Sequence, residues 1–289
     1  MDKPTEKFSP VLPPKANVFG ALEAYRQMGV GLRDVNRKIS EAKQKGERIP
    51  DGLERECLDY IHAQVCKAMQ WDVQVEGGMP EIDQKLPTLV LSNHTTIIGL
   101  WTPPQVLAEH YAWKSVAVGR ESLSTVPFVG ENFVQPMKVI KTGLFFDRDN
   151  GVEGKRQLQE GLAEVFVGNT GLWLFADGTR PYEKRIKAER ERWEKRLGHD
   201  LPWLQRTPFP RRGGFHALVE GASQKGKFNL LNVTVAEVRD WEIGETIGIS
   251  VKKENAAEVV SMTEEEKGNW LIGKWREKNK WILDFESGR

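Results

Sequence analysis

The sequence predicts an α/β fold: a mixed, largely parallel sheet flanked by helices, with a helical N-terminal extension. Short uninterrupted apolar runs, such as Thr88 to Leu91 and Gly171 to Phe175, mark strands buried on both faces. Segments with helical spacing separate these runs, and that alternation implies crossover connections covering both faces of one sheet. Residues 1–70 read as helix and coil, so they are assigned to the extension and residues 71–289 to the α/β domain.

The elements follow in order. A helix is expected from Val18 to Lys45, and a second, after the break at Pro50-Asp51-Gly52, to about Met69. Trp71 to Gly77 alternates with period two, as a half-buried strand should. Thr88 to Leu91 is the first buried strand, followed by a helix through Gln105 to His110 and strands at Ser115–Val118 and Gly143–Phe146. Gly154 to Phe166 places Leu158, Leu162, Val165 and Phe166 on one helical face. The strand Gly171–Phe175 precedes a charged helix, Glu183 to Arg196. Then come a helix from Gly214 to Ala222, a strand at Asn229–Val235 and a closing helix from Glu264 to Phe285. Its apolar stripe is Leu271, Trp275, Ile282 and Phe285.

Composition narrows the function. Hydrophobic residues make up 39% and charged residues 29% of 289, a globular balance with enough chain for a substantial core. Forty-two Lys and Arg against 41 Asp and Glu leave a net charge of +1. That excludes the basic excess of a nucleic-acid binder, so any anion site must be local. The two cysteines, Cys57 and Cys66, have neither a disulfide framework nor metal-ligand spacing, which points to a reducing, cytoplasmic setting without a metal.

Met1 to Lys15 is polar and Pro-rich, so no signal peptide is expected, and no apolar window is long enough for a transmembrane helix. The nearest approach, Val18 to Leu32, is broken by Glu23, Arg26 and Gln27. Its stripe of Val18, Phe19, Leu22, Tyr25 and Met28 suits either a membrane surface, peripherally, or the domain itself. The ten tryptophans carry the same two readings.

Three strand ends carry chemistry. Leu89-Val90-Leu91 delivers Asn93 and His94 where open α/β sheets bind ligands; His94 is either a proton acceptor or a satisfied strand-end histidine. Arg148, after Phe145-Phe146-Asp147, offers a planar fork to phosphate or an ion pair to Asp147 or Asp149. Asp177, Gly178, Thr179 and Arg180 follow the strand ending at Phe175, in a crevice-facing loop or an ordinary turn.

Taken together, these blocks resemble PlsC-like glycerolipid acyltransferases of the eukaryotic-type branch. Ser92-Asn93-His94 looks like the opening of that family's NH-x4-D block. Phe145-Phe146-Asp147-Arg148 is similar to its second block, and Phe175-Ala176-Asp177-Gly178-Thr179-Arg180 to FPEGTR, with Ala for Pro and Asp for Glu. Pro208 to Phe215 resembles LPRTKGF, Gly119 to Gly130 the connecting segment, and Asn269 to Phe285 the closing helix. The similarity covers about Val73 to Phe285.

The resemblance implies an acyltransferase moving a fatty acyl group from acyl-CoA or acyl-carrier protein to a lysophospholipid or glycerol phosphate, with no cofactor. It implies that His94 is the base and that Asn93 helps hold the oxyanion. Arg148 and Arg180 would bind the acceptor's phosphate, and Asp177, Gly178 and Thr179 the rest of the acceptor.

One position departs from the pattern. The family's aspartate should stand at Gly99, and no acid lies between His94 and Pro104. In serine-protease triads, disabling the equivalent carboxylate costs about 10⁴ in turnover. Three readings stay open: another acid such as Asp147 or Glu121 serves, the enzyme is slow, or the chain binds lipid or acyl thioester without turning it over. Gly99→Asp separates them. Turnover should rise by about tenfold or more if His94 lacks an acid, and fall if another acid already serves it. Variants inert in both forms yet still binding thioester would mark a binding protein.

Overall fold

The computed structural model describes residues 18–49, 52–69, 71–95, 102–125, 130, 134–139, 141–147, 150–178, 181–240 and 244–288. Two helices, α1 (Val18–Lys45) and α2 (Leu53–Met69), form an antiparallel hairpin turned by Gly46 and Gly52, both with positive φ. Leu32, Val35, Ile39 and Ala42 of α1 are buried with Leu53 and Ile61 of α2. Gly31 sits where a Cβ would come within 3.0 Å of Ile61 and Tyr60, so the glycine lets the helices close. Gln105 donates to Asp59, tying the hairpin to the domain. The side chains of Val18, Phe19, Leu22, Tyr25 and Met28 lie outside the described residues.

The domain is built on a seven-stranded sheet of order β1-β7-β6-β2-β5-β3-β4. Its strands are β1 (Trp71–Glu76), β2 (Thr88–Ser92), β3 (Lys114–Arg120), β4 (Gly143–Phe146), β5 (Thr170–Phe175), β6 (Asn229–Asp240) and β7 (Gly244–Glu254). Every neighbouring pair is parallel except β6–β7. The mixed, mostly parallel sheet expected from the sequence is therefore present.

The remaining helices are α3 (Thr102–Tyr111), α4 (Gln135–Val139), α5 (Gly151–Val165), α6 (Glu183–Leu197), α7 (Arg212–Lys225), α8 (Ala256–Ser261) and α9 (Glu264–Glu286). Caps explain several starts. Asn150 accepts from Glu153 N–H at α5, Asn255 does the same for Glu258 at α8, and Thr263 with Glu266 forms a capping box at α9.

Alternation along each strand sorts the core into two layers. Leu89, Leu91, Leu172 and Leu174 face α5, α7 and α9, where Leu162, Phe215, Leu218, Leu271 and Trp275 are buried. Val90, Trp173, Leu231 and Val233 face the other way, toward Leu107, Ala108 and Tyr111 of α3 and toward Trp113. Buried tryptophans 113, 173 and 275 act as core residues. Gly171 admits Trp113, whose ring stands 2.5 Å from where a Cβ would be.

Two elements go beyond the sequence reading. Strand β6 runs on to Asp240, and β7 pairs with it over eleven residues from Gly244 to Glu254. Ile247, Ile249 and Val251 do alternate inward, but Lys252 and Lys253 and the unbranched Gly248 dilute the pattern. Among the described residues, no helix is long and apolar enough to cross a membrane.

Candidate active site

Sheet topology places the site. After β2 the chain travels past β5 to β3 by way of α3; after β5 it turns back past β2 to β6 by way of α6 and α7. Adjacent parallel strands whose connections leave in opposite directions open a crevice at their carboxyl ends, the usual ligand site of such sheets. His94 and Asp177 stand at that crevice.

Register brings the two together. Ser92 pairs with Phe175 as the last step of the β2–β5 ladder, so His94 and Asp177, two residues on, meet across the strand ends. The His94 backbone N–H donates to Asp177 Oδ2 at 2.8 Å, and His94 Nε2 lies 3.9 Å from Asp177 Oδ1. The imidazole stacks on Phe175, with centroids 4.7 Å apart and planes 22° apart. Its side chain is 19% exposed, whereas Asp177 is wholly buried. His94 is thus at the opening and Asp177 beneath it.

Two expectations change here. Asp177 was to hold the acceptor, yet its carboxylate points under His94 and has no exposed surface. A turn follows β5 immediately, with Gly178 at φ +62° and its N–H donating to Phe175 O, and this turn folds Asp177 inward. Asn93 was to support the oxyanion, yet its amide is engaged by β6. Nδ2 donates to Val235 O and Oδ1 accepts Val235 N–H, each at 2.9 Å. The side chain replaces a ladder pair where β2 has stopped.

Further groups fasten the floor of the site. Lys278 of α9, 1% exposed, points its ammonium at the carboxyl end of β2 and the middle of β6. Nζ donates to Leu91 O at 3.3 Å, to Val233 O and to Thr234 Oγ1 at 3.4 Å, and it lies 5.2 Å from the Trp275 ring centroid. Burial pushes the Asp177 carboxyl well above the ordinary carboxylate range, a shift opposed by the His94 amide and by Lys278. Burial likewise pushes Lys278 well below the ordinary lysine range, opposed chiefly by Asp177. Glu189 of α6 accepts from Phe209 N–H and pairs with Arg211 at 2.6 Å, while Arg211 N–H donates to Ala176 O. The Asp177 turn is thereby clasped to the 208–215 stretch. Arg120, at the end of β3, donates to Gly178 O at 3.3 Å.

The acids considered as substitutes have partners of their own. Glu121 pairs with Lys138 at 2.6 Å, and Asp147 accepts from Asn150 N–H at the start of α5. Gly99, Arg148, Thr179 and Arg180 lie outside the described residues. Lys278, Phe175 and the Glu189–Arg211 clasp were not anticipated; Lys278 had a signal, since it interrupts the apolar stripe of α9 between Trp275 and Ile282. Among the described residues, no cluster of His, Cys, Asp and Glu could hold a metal ion.

No family model matches the chain. Over 165 residues it is 26% identical to the 1-acyl-sn-glycerol-3-phosphate acyltransferase of Saccharomyces cerevisiae, a match covering 57% of this chain and 43% of that protein. The match thus spans less than half the length of this curated relative. In three dimensions the chain is similar to the crystal structure of the 1-acyl-sn-glycerophosphate (LPA) acyltransferase PlsC from Thermotoga maritima. The TM-score is 0.57 at 13% identity, with 93% of this chain and 96% of that one covered. The fold is that of PlsC, and the yeast match agrees with the resemblance to PlsC-like acyltransferases carried by the sequence blocks.

The Asn93 geometry makes a prediction. Asn93→Ala leaves a buried N–H and C=O of Val235 without partners, at about 1–3 kcal/mol each. Urea unfolding should show a loss of about 3 kcal/mol. An oxyanion role would instead lower kcat with stability intact.

Proposed function

We propose that the chain is an acyltransferase acting on a lysophospholipid or glycerol phosphate, of the lysophosphatidic acid to phosphatidic acid type. The observation that carries this reading is His94, held at the switch-point crevice over a buried carboxylate. The match to the yeast enzyme and the order of the sequence blocks support it. The donor is an acyl thioester, of CoA or a carrier protein.

In this reading His94 takes the proton of the acceptor hydroxyl as its oxygen attacks the thioester carbonyl. The C–S bond then breaks, and the leaving thiolate receives the proton back from the imidazolium. Backbone amides near the strand ends hold the transient oxyanion, since Asn93 is engaged by β6. Arg148 and Arg180 grip the acceptor phosphate, and Gly178 and Thr179 contact the rest of the acceptor. Thiolate leaves readily, so the reaction needs neither metal nor cofactor. The protein works at a membrane surface from the cytoplasmic side, with the α1 stripe as contact.

The test is transfer of labelled acyl from acyl-CoA to a panel of lysophospholipids and glycerol-3-phosphate. His94→Ala should lose about 10²–10⁴ in kcat, the ordinary contribution of a general base. Arg148→Ala and Arg180→Ala should each raise the acceptor KM about tenfold with the thioester KM little changed, as loss of a charge-assisted bond implies. Unaltered acceptor binding in both would make these arginines structural.

Membrane contact is checked separately. Phe19→Asp with Leu22→Asp should abolish co-sedimentation with phosphatidylglycerol vesicles at unchanged far-UV circular dichroism. A variant that unfolds would show the stripe to be core.

A further inference from the structure

We propose that Asp177, backed by the buried ammonium of Lys278, is the carboxylate that serves His94 in place of the acid missing at Gly99. The inference rests on the acyltransfer reading and names two positioning residues for it.

The geometry gives Asp177 two links to His94. Oδ2 accepts the His94 backbone N–H at 2.8 Å and fixes where the residue leaves β2. Oδ1 faces Nε2 from 3.9 Å, close enough to stabilise an imidazolium and too far for a hydrogen bond. Among the described residues Oδ1 has no hydrogen-bond partner, so its charge is directed at the ring. During transfer the proton moves from the acceptor hydroxyl to His94 and on to the leaving thiolate. Asp177 carries no proton in this relay.

A carboxylate this deeply buried stays ionised only beside a cation. The charge of Lys278, on α9, is the one that favours ionised Asp177. Its ammonium is held by carbonyls of β2 and β6, three residues before His94 and two before Val235, which latches Asn93. Glu189 of α6 opposes ionisation of Asp177 but is paired with Arg211, and Arg192 lies 3.7 Å from it. Lys278 is also influenced by Glu254 of β7 and by Glu277 and Lys274 of α9, of which Glu254 and Lys274 pair with each other at 3.0 Å. Arg180 lies outside the described residues.

The sign of the coupling is testable. An anion beside a histidine raises its pKa, so Asp177→Asn should lower the His94 pKa by roughly one unit, tenfold in protonation. Lys278→Met should also lower it, because Asp177 without its cation takes up a proton. A lysine acting on His94 directly would do the reverse, since removing a cation raises a histidine pKa. The double variant should fall no further than Asp177→Asn alone.

These values are read by NMR titration of the full chain, whose five histidines are sorted by comparison with His94→Ala. In turnover, both single variants should lose about tenfold or more in kcat at neutral pH with the acceptor KM little changed. An unmoved His94 titration in Asp177→Asn overturns the proposal, as does a rise in Lys278→Met. So does a raised acceptor KM with the titration unmoved, which would return Asp177 to acceptor binding. Should Lys278→Met fail to fold, Asp177→Asn decides alone, since Asn keeps the shape and an acceptor oxygen. Wild-type protein inert toward acyl-CoA and every acceptor would sink the acyltransfer reading, while the titrations still judge the pairing.

Discussion

Two ionisable groups, Asp177 and Lys278, are buried near the strand ends of the site, and its geometry depends on keeping both satisfied. Asp177 and Lys278 are each sealed from water, which disfavours either charge standing alone. Leu91, Val233 and Thr234 surround the ammonium, and the His94 amide meets the carboxylate. Leu91 is next to last in β2, His94 stands two residues past that strand, and Val233 and Thr234 lie midway along β6 beside the end of β2. Satisfying the charges therefore fixes the strand ends that present His94.

The sheet order explains why the groups converge from so far apart in sequence. His94, Asp177 and Lys278 come from β2, from the turn after β5 and from the closing helix, and only the β2–β5 register and the α9 layer bring them together. Trp275 buries the helix turn just before Lys278, and Leu271 and Ile282 continue the same stripe. Helix α9 is thus both a lid on one core layer and the carrier of the cation. The Glu189–Arg211 pair does comparable work on the other side of Asp177, holding the turn at Ala176.

Much of this architecture was legible in the sequence because buried strands announce themselves by unbroken apolar runs. Thr88–Leu91, Gly143–Phe146 and Gly171–Phe175 all fall where strands are found, and the first two helices end at Lys45 and Met69. The strand β7 was harder to see: Gly248 and Ser250 interrupt its apolar positions, and Lys252 and Lys253 resemble a loop's. Within the site, position was legible but direction was not. Sequence puts Asn93 and Asp177 at strand ends, yet only the ladder shows that Asn93 reaches sideways to Val235 and that Asp177 folds under His94. Lys278 was legible in principle, as one charge at an apolar position, but a lysine in a helix ordinarily lies on the wet face.

Gly99 raises the question of what a histidine base requires from its acid. A hydrogen-bonded carboxylate does two separable things: it orients the ring, and it offsets the charge the ring acquires. Here the tasks fall to different groups. Orientation comes from the hydrogen bond that the His94 backbone N–H donates to Asp177 and from the stack on Phe175, and aromatic pairs of this kind contribute about 0.5–1.5 kcal/mol beyond their burial. Charge comes from Asp177 Oδ1 at 3.9 Å, and unit charges at that separation attract by about 4 kcal/mol at an effective dielectric of about 20. A dyad acid worth about 10⁴ in rate corresponds to about 5.5 kcal/mol. The stack is present before and after proton transfer, so only the charge term counts toward rate, and a site without an acid at Gly99 keeps that term provided that Lys278 holds Asp177 charged.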